Sequence, residues 1–201
     1  MDDRNPFAQP LAPLEDKDNG GSPKELRYAG FWRRFGAYWV DLLVFLPLTG
    51  LVLWVGGMTR LFQLYYFVPG LLIGMFFHVY LVKRYGGTPG KLLMKTRISR
   101  LDGTAVSYRD ALIRYSVLFV LSALISIATL VGTLNISDSE YLSLGFQARN
   151  LRLMQLVPGW FMPVNILLNI WIWGEFVVML TNKRRRALHD FMAGTVVIRV
   201  A

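Results

Sequence analysis

Four long apolar runs dominate the pattern of hydrophobic and polar residues along the chain. They cover about residues 37–58, 61–82, 115–136 and 160–181, and charged residues are rare within them. A helix needs roughly 20 apolar residues to cross a hydrocarbon core of about 30 Å, and each run reaches that length. Apolar residues cover every side of these runs and do not alternate with polar ones, which favours helices over the strands of a β-barrel. We therefore predict an all-α membrane protein with four transmembrane helices.

The Lys and Arg residues beside these runs predict the orientation of the chain. They are concentrated before the first run, between the second and third, and after the fourth, whereas the other two loops carry few. Because basic loops tend to stay in the cytoplasm, both termini and the loop over 83–114 are predicted to be cytoplasmic, in a multi-pass protein of the cell (inner) membrane. The formal net charge of +9 then indicates anionic lipid headgroups as partners on that face, rather than nucleic acid.

The second loop and the C-terminus carry signals for a small sheet. Residues 94–100 alternate polar and apolar side chains, and Asp102-Gly103 follows them, which is typical of a tight β-hairpin that returns through 104–108. The β-branched segment 195–200 is a candidate to pair with this cytoplasmic hairpin. Ser107 followed by an acidic residue three positions later resembles a capping box at the start of the third helix.

Composition supports the membrane assignment and excludes several kinds of site. The chain is 54% hydrophobic and only 17% charged, whereas a soluble domain carries about a quarter charged residues. It contains no cysteine, which excludes disulfides, thiolate nucleophiles and cysteine-based metal sites. Residues 1–27 are acidic and contain Pro and Gly, so we expect a disordered cytoplasmic tail there and one transmembrane domain over 28–201.

Asp41 is the most informative polar residue, because it lies inside the first apolar run. An isolated charge at such a depth costs a few kcal/mol on insertion scales. Arg34 lies seven residues earlier on the same helix face, about 10 Å away along the axis, so each residue is expected to pair with another helix. Two interpretations remain open: an ion or proton site, and a buried salt bridge that fixes helix packing.

Further polar residues follow in the second loop and the last helix. Gly86–Lys91 lacks the spacing of a nucleotide-binding phosphate loop and indicates a membrane-exit turn with Lys91 at the headgroups. Asn165 and Asn169 share a helix face while Glu175 lies off it, and the three either line a polar path or join helices by hydrogen bonds.

The C-terminal residues His189 and Asp190 suggest a salt bridge rather than a metal site. The chain contains only two histidines, and His78 is the other, so a metal ion would lack ligands. Arg34 is a candidate partner for Asp190. We find no nucleophile elbow and no suitably spaced carboxylate pair, so the sequence predicts neither an enzyme nor a bound cofactor or metal.

Three short motifs, in this order and at these positions relative to the apolar runs, resemble those of the RDD family of integral membrane proteins. Residues Gly30–Ala37 followed by Asp41 are similar to its first-helix signature, and Thr88–Lys91 is similar to its T-P-G-K turn. Residues 188–190 together with 193–197 resemble its C-terminal signature. The resemblance extends over about residues 28–200, and the residues that correspond to the arginine and two aspartates of the family name are Arg34, Asp41 and Asp190, with Arg33 as an alternative arginine.

Two functions of different classes remain open, one that the resemblance implies and one that the small size, polar helix faces and basic surface of the chain fit equally well. The first is a small-ion transporter, for a cation or proton, that uses Arg34, Asp41 and Asp190 and assembles as a homo-oligomer because four helices enclose a thin pathway. The second is a non-catalytic accessory or assembly subunit of a larger membrane complex. The region 137–155 does not match the common pattern of the family.

Overall fold

The computed structural model describes residues 27–200, so the predicted tail lies outside the described residues except for its last position. Four helices in this part are long and apolar enough to cross a membrane, and a small antiparallel sheet accompanies them, which confirms the predicted fold class. The helices are α1 (Phe31–Gly56), α2 (Phe62–Met75), α3 (Leu81–Tyr85), α4 (Pro89–Leu93), α5 (Tyr108–Leu134), α6 (Asp138–Ser143), α7 (Phe146–Leu156), α8 (Phe161–Thr181) and α9 (Leu188–Met192). The strands are β1 (Thr96–Arg100) and β2 (Thr195–Arg199).

The second span is the least regular of the four. A π-helical turn, Phe76–Tyr80, joins α2 to α3 without a break in the chain direction, and Gly86 in the left-handed conformation (φ 82°) ends α3. Such π-helical turns often occur at functional sites. Proline occurs inside both α1 and α2, and spans tolerate it where neighbouring helices satisfy the freed carbonyl groups.

The spans expose apolar side chains to their surroundings. Leu43 is 60% exposed, Leu72 62% and Trp173 67%. Apolar surface of this extent on four long helices is stable in hydrocarbon, where it needs no protein cover. The chain is therefore a multi-pass membrane protein, and its buried residues are concentrated at one end.

That end, where α1 begins and α8 ends, is here called the basic end. It contains β1 and β2, which pair antiparallel with Ile98 opposite Val197, and these two side chains are each 1% exposed. The predicted pairing of the C-terminal segment is thus present. The turn at Asp102-Gly103 is present as well, but the return arm contributes only an isolated bridge from Ala105 to Ser99. The capping box at Ser107 is confirmed and starts α5.

The opposite end is covered by α6 and α7, which occupy the region that did not match the family pattern. The Tyr141 hydroxyl donates to the carbonyl of Gly56 at 2.6 Å, and Arg60 pairs with Asp138 at 2.6 Å. The Arg149 guanidinium lies 4.4 Å from the centre of the Tyr141 ring. These contacts hold α6 and α7 against the loop between α1 and α2.

Candidate functional site

Asp190 is the centre of a buried cluster at the basic end. Its side chain is 0% exposed, and it accepts from Arg34 at 2.9 Å, from Arg114, and from the backbone N–H of Ala187 at 3.0 Å. Thr195, which also contacts Arg114, donates to it at 3.2 Å. Both carboxylate oxygens are therefore satisfied, and the first helix, the third span, α9 and β2 meet at this residue.

The charges around Asp190 keep it ionised. Burial opposes the charged form, but the positive charges of Arg114, His189 and Arg34, together with the Ala187 N–H, outweigh it and hold the pKa of Asp190 well below its ordinary value. The cluster therefore consists of two charged arginines bound to one ionised carboxylate. Such an arrangement is typical of a fixed structural contact.

Asp41 does not join this cluster. Its Oδ2 accepts from the Thr88 hydroxyl at 2.6 Å, and its Oδ1 accepts from the backbone N–H of Gly90 at 2.7 Å. Thr88 is the N-cap of α4, so Asp41 supplies an acceptor for the otherwise unpaired N–H groups at that helix start. The aspartate of the first-helix motif and the Thr88–Lys91 turn are thus one structural unit, and the expectation that Asp41 pairs across helices holds.

Glu175 and His189 form a second polar pair. The His189 Nδ1 lies 2.5 Å from Glu175 Oε1, and its Nε2 lies 3.7 Å from Asp190. In the π-helical turn, the His78 ring stacks on Tyr115 with centroids 4.6 Å apart. Among the described residues, no three His, Asp or Glu side chains are grouped closely enough to hold a metal ion.

These groups surround a cavity of about 530 Å³, here called the inner cavity, which lies between α1, α5, α8 and the second span. Its basic and acidic lining residues are Arg34, Asp41, His78, Lys91, Arg114, Glu175 and His189. The rest of the wall is mostly apolar. A concave, mainly apolar site with a few convergent polar groups is typical of small-molecule binding, and 530 Å³ is within the usual range of such sites.

A second cavity of about 220 Å³, the outer cavity, lies farther along α1 between that helix and α2. Phe45 lines both cavities. Its ring contacts that of Phe77, with centroids 4.5 Å apart. Phe45 thus contributes to the walls of two spaces that follow one another along the first helix.

The remaining predicted site residues lie outside both cavities. Arg33 donates to the carbonyl of Met94 at 3.2 Å, and this contact supports the turn after α4. Asn169 donates to the carbonyl of Asn165 at 2.8 Å within α8, so this pair bonds inside its own helix. Neither asparagine joins helices or lines a polar path in the described part of the chain.

Sequence reasoning did not single out three residues of the site. Arg114 is the last residue of the predicted cytoplasmic loop over 83–114, but it lies in the second turn of α5 and is only 8% exposed. Its position just after a capping box was the available signal. Thr195 lies within the C-terminal motif and the predicted strand, but nothing in the sequence marked its hydroxyl as a partner of Asp190. Phe45 carried no signal, because a phenylalanine is ordinary in a span.

Comparison with known proteins supports the assignment that the motifs suggested. The model of the RDD family matches residues 28–194, which include Arg34, Asp41, the Thr88–Lys91 turn and Asp190. Searches of curated proteins and of solved structures found no match. With most of its length matched by the family model, the chain belongs to the RDD family.

Proposed function

We propose that the protein is a proton-coupled transporter that moves an ionised solute across the membrane by way of the inner cavity. The observation that carries this proposal is the position of Phe45, which lines both the inner and the outer cavity. In this proposal Phe45 is the gate: its contact with Phe77 keeps the two spaces apart, and its movement away from Phe77 joins them. A site closed on one side at a time is what alternating access requires.

Glu175 and His189 are the residues to which we assign the proton. Both line the inner cavity, and they lie 2.5 Å apart. Glutamate and histidine side chains form the proton relays of pumps and transporters; Glu175 lies in the fourth span, and His189 follows that span in α9. Asp41 and Asp190 have both oxygens engaged by protein donors, so we assign them structural roles, Asp41 in the cavity wall and Asp190 in the cluster behind it, whereas the sequence alone suggested them as the ion site.

A flux assay tests this proposal. The purified protein is placed in liposomes that contain a pH-sensitive dye, and gradients of pH and of a panel of cations and anions are imposed. We expect solute-dependent proton flux that falls at least tenfold in Glu175→Gln, because the substitution removes the group that exchanges the proton. Glu140→Gln is the matched control, since Glu140 pairs with Arg152 at the opposite end and lies outside both cavities.

Wild-type protein that shows no flux under any of these gradients would contradict transport. Stoichiometric copurification with other membrane proteins would then favour the accessory-subunit alternative. Flux that is equal in wild type and Glu175→Gln would leave transport standing but remove Glu175 from the proton path.

A further inference from the structure

The inner cavity is lined by positive side chains that have donor atoms without a protein acceptor. The Arg34 side chain is only 8% exposed, and its Nη1 pairs with Asp190 at 2.9 Å. Within residues 27–200, its Nε and Nη2 atoms are buried and have no hydrogen-bond acceptor. Buried donors of this kind cost about 1–3 kcal/mol each when they are left unsatisfied, and a bound ligand removes that cost.

Lys91 adds a second uncommitted positive group to the same wall. No carboxylate lies within 4.0 Å of its amine in the described part of the chain. The residue is carried by α4, which α1 holds in place through Asp41. Arg34 and Lys91 therefore both lie at the cavity with donors available to a ligand.

The carboxylates of the cavity, unlike its positive groups, already have hydrogen-bond partners within the protein. Asp41 accepts through both oxygens from Thr88 and Gly90, and Glu175 accepts from or shares a proton with His189. A cation entering the cavity would have to displace these bonds, whereas an anion would find donors ready. The balance of available groups thus favours a negatively charged ligand.

The cavity also changes character with depth along α1. Arg34 lies in the first turn of this helix, whereas Leu42 and Phe45 line the cavity about 12 to 17 Å farther along at 1.5 Å per residue. Leu118 from α5 and Trp171 from α8 complete this deeper apolar part. A ligand that matches both parts has a charged group at one end and an apolar chain at the other.

We propose that the inner cavity binds an amphipathic oxyanion, a phosphate or carboxylate group that carries an apolar chain. The oxyanion accepts from Arg34 and Lys91, and the chain lies against the Leu42–Phe45 part of the wall. That this ligand is the transported solute rests on the proposed function, but its binding to the cavity can be measured without transport.

Thermal unfolding of the protein in dodecyl maltoside tests the proposal with three probes: dodecyl phosphate, inorganic phosphate and dodecyltrimethylammonium. The two amphiphiles have the same chain as the detergent, so only the headgroup differs. We expect a saturable rise in Tm with dodecyl phosphate, because a ligand that binds the native state stabilises it by mass action. Inorganic phosphate is expected to give less than a tenth of the apparent affinity, and the cationic amphiphile is expected to give no saturable rise.

Lys91→Gln should weaken dodecyl phosphate binding at least tenfold without loss of folding, since no ion pair of the protein is broken. Lys183→Gln is the matched control: Lys183 is exposed after α8 and lies outside both cavities. Leu42→Trp, which fills the apolar part, should weaken dodecyl phosphate binding but leave any inorganic phosphate binding unchanged.

Equal affinity of Lys91→Gln and wild type would overturn the proposal, as would a cationic amphiphile that binds as well as dodecyl phosphate. Inorganic phosphate that binds as tightly as dodecyl phosphate would overturn the proposal that the ligand carries an apolar chain and would identify a free anion as the ligand. Dodecyl phosphate binding without any flux would contradict the proposed function alone, and flux without dodecyl phosphate binding would contradict this ligand class alone.

Discussion

Two aspartates at the basic end have different environments, and therefore different roles. Asp190 is fully buried between Arg34 and Arg114, so its charge is needed to balance theirs. Asp41 is half-buried and accepts from a hydroxyl and a backbone N–H, both of which are neutral donors. Removal of the charge is therefore expected to be far more damaging at Asp190 than at Asp41.

Asp190→Asn should destabilise the protein by about 3–5 kcal/mol at pH 7, because it leaves two buried arginines without a counter-charge. The measurement is thermal or denaturant unfolding in dodecyl maltoside, followed by tryptophan fluorescence. Asp102→Asn is the control, since Asp102 is exposed in the turn after β1 and should leave the Tm nearly unchanged. A loss at Asp190→Asn no greater than that of the control would contradict the central role of this carboxylate.

The difference in stability between wild type and Asp190→Asn is also expected to depend on pH. The pKa of Asp190 is held below its ordinary value of 3.8, with burial opposed by Arg114, His189 and Arg34, so its stabilising contribution is complete above that value. It is lost as the pH falls further, at up to about 1.4 kcal/mol per pH unit. The difference in unfolding free energy between wild type and Asp190→Asn should thus be constant from pH 7 to 5 and narrow below pH 4. A difference that is the same at pH 3 as at pH 7 would contradict this account.

At the scale of elements, α4 lies very close to α1 in the basic end. A Cβ atom at Gly90 would lie 2.1 Å from the carbonyl oxygen of Ala37 and 2.8 Å from the Asp41 carboxylate. Only glycine allows α4 to pack this close to α1. The close packing brings the Gly90 N–H to Asp41 and places Lys91 at the cavity. The short helix is thus positioned by the absence of a side chain.

Gly90→Ala should therefore push α4 away from α1 and cost about 1–3 kcal/mol of stability, as overpacking in a close contact does. Gly50→Ala is the matched control, because Gly50 lies in the middle of α1 with nothing within 4 Å of the added methyl group. That substitution should be neutral or stabilising by about 0.5–1 kcal/mol, since alanine is the better helix former. Unfolding in dodecyl maltoside measures both variants, and equal stability of the two would refute the close packing.

At the scale of the whole molecule, the two ends and the middle are stabilised differently. The basic end has a buried core around Ile98 and Val197, together with the Asp190 cluster. The spans leave much of their apolar surface exposed, so hydrocarbon replaces protein as their environment. The proposed transport depends on which end faces the cytoplasm, and the distribution of Lys and Arg predicts that it is the basic end.

The absence of cysteine makes this orientation directly testable with single-cysteine variants. Ala105→Cys lies in the loop of the basic end and Ser139→Cys in α6 at the opposite end, and both native residues are exposed. A membrane-impermeant maleimide should label Ser139→Cys in intact cells, and Ala105→Cys only after permeabilisation. The reverse labelling would place the basic end outside and contradict the prediction.

Much of the architecture follows from the sequence itself. Runs of about 20 apolar residues have few alternatives to membrane-spanning helices, because hydrocarbon offers no partner for an unpaired backbone group. The cap at Ser107 and the turn at Asp102-Gly103 depend on neighbours along the chain, and both could be predicted for that reason. The order of the short motifs also predicted the family, which the match over residues 28–194 confirms.

The contacts of the site depend on tertiary structure instead. The motifs suggested Arg34 as a candidate partner for Asp190, but the two residues are 156 positions apart, and no local periodicity encodes which of several basic residues a distant carboxylate will meet. The same holds for Arg114, for the pairing of β1 with β2, and for the position of Phe45 between two cavities. A cavity is the space that packed helices leave between them, so its size, its lining and its unpaired donors exist only once the helices are in place.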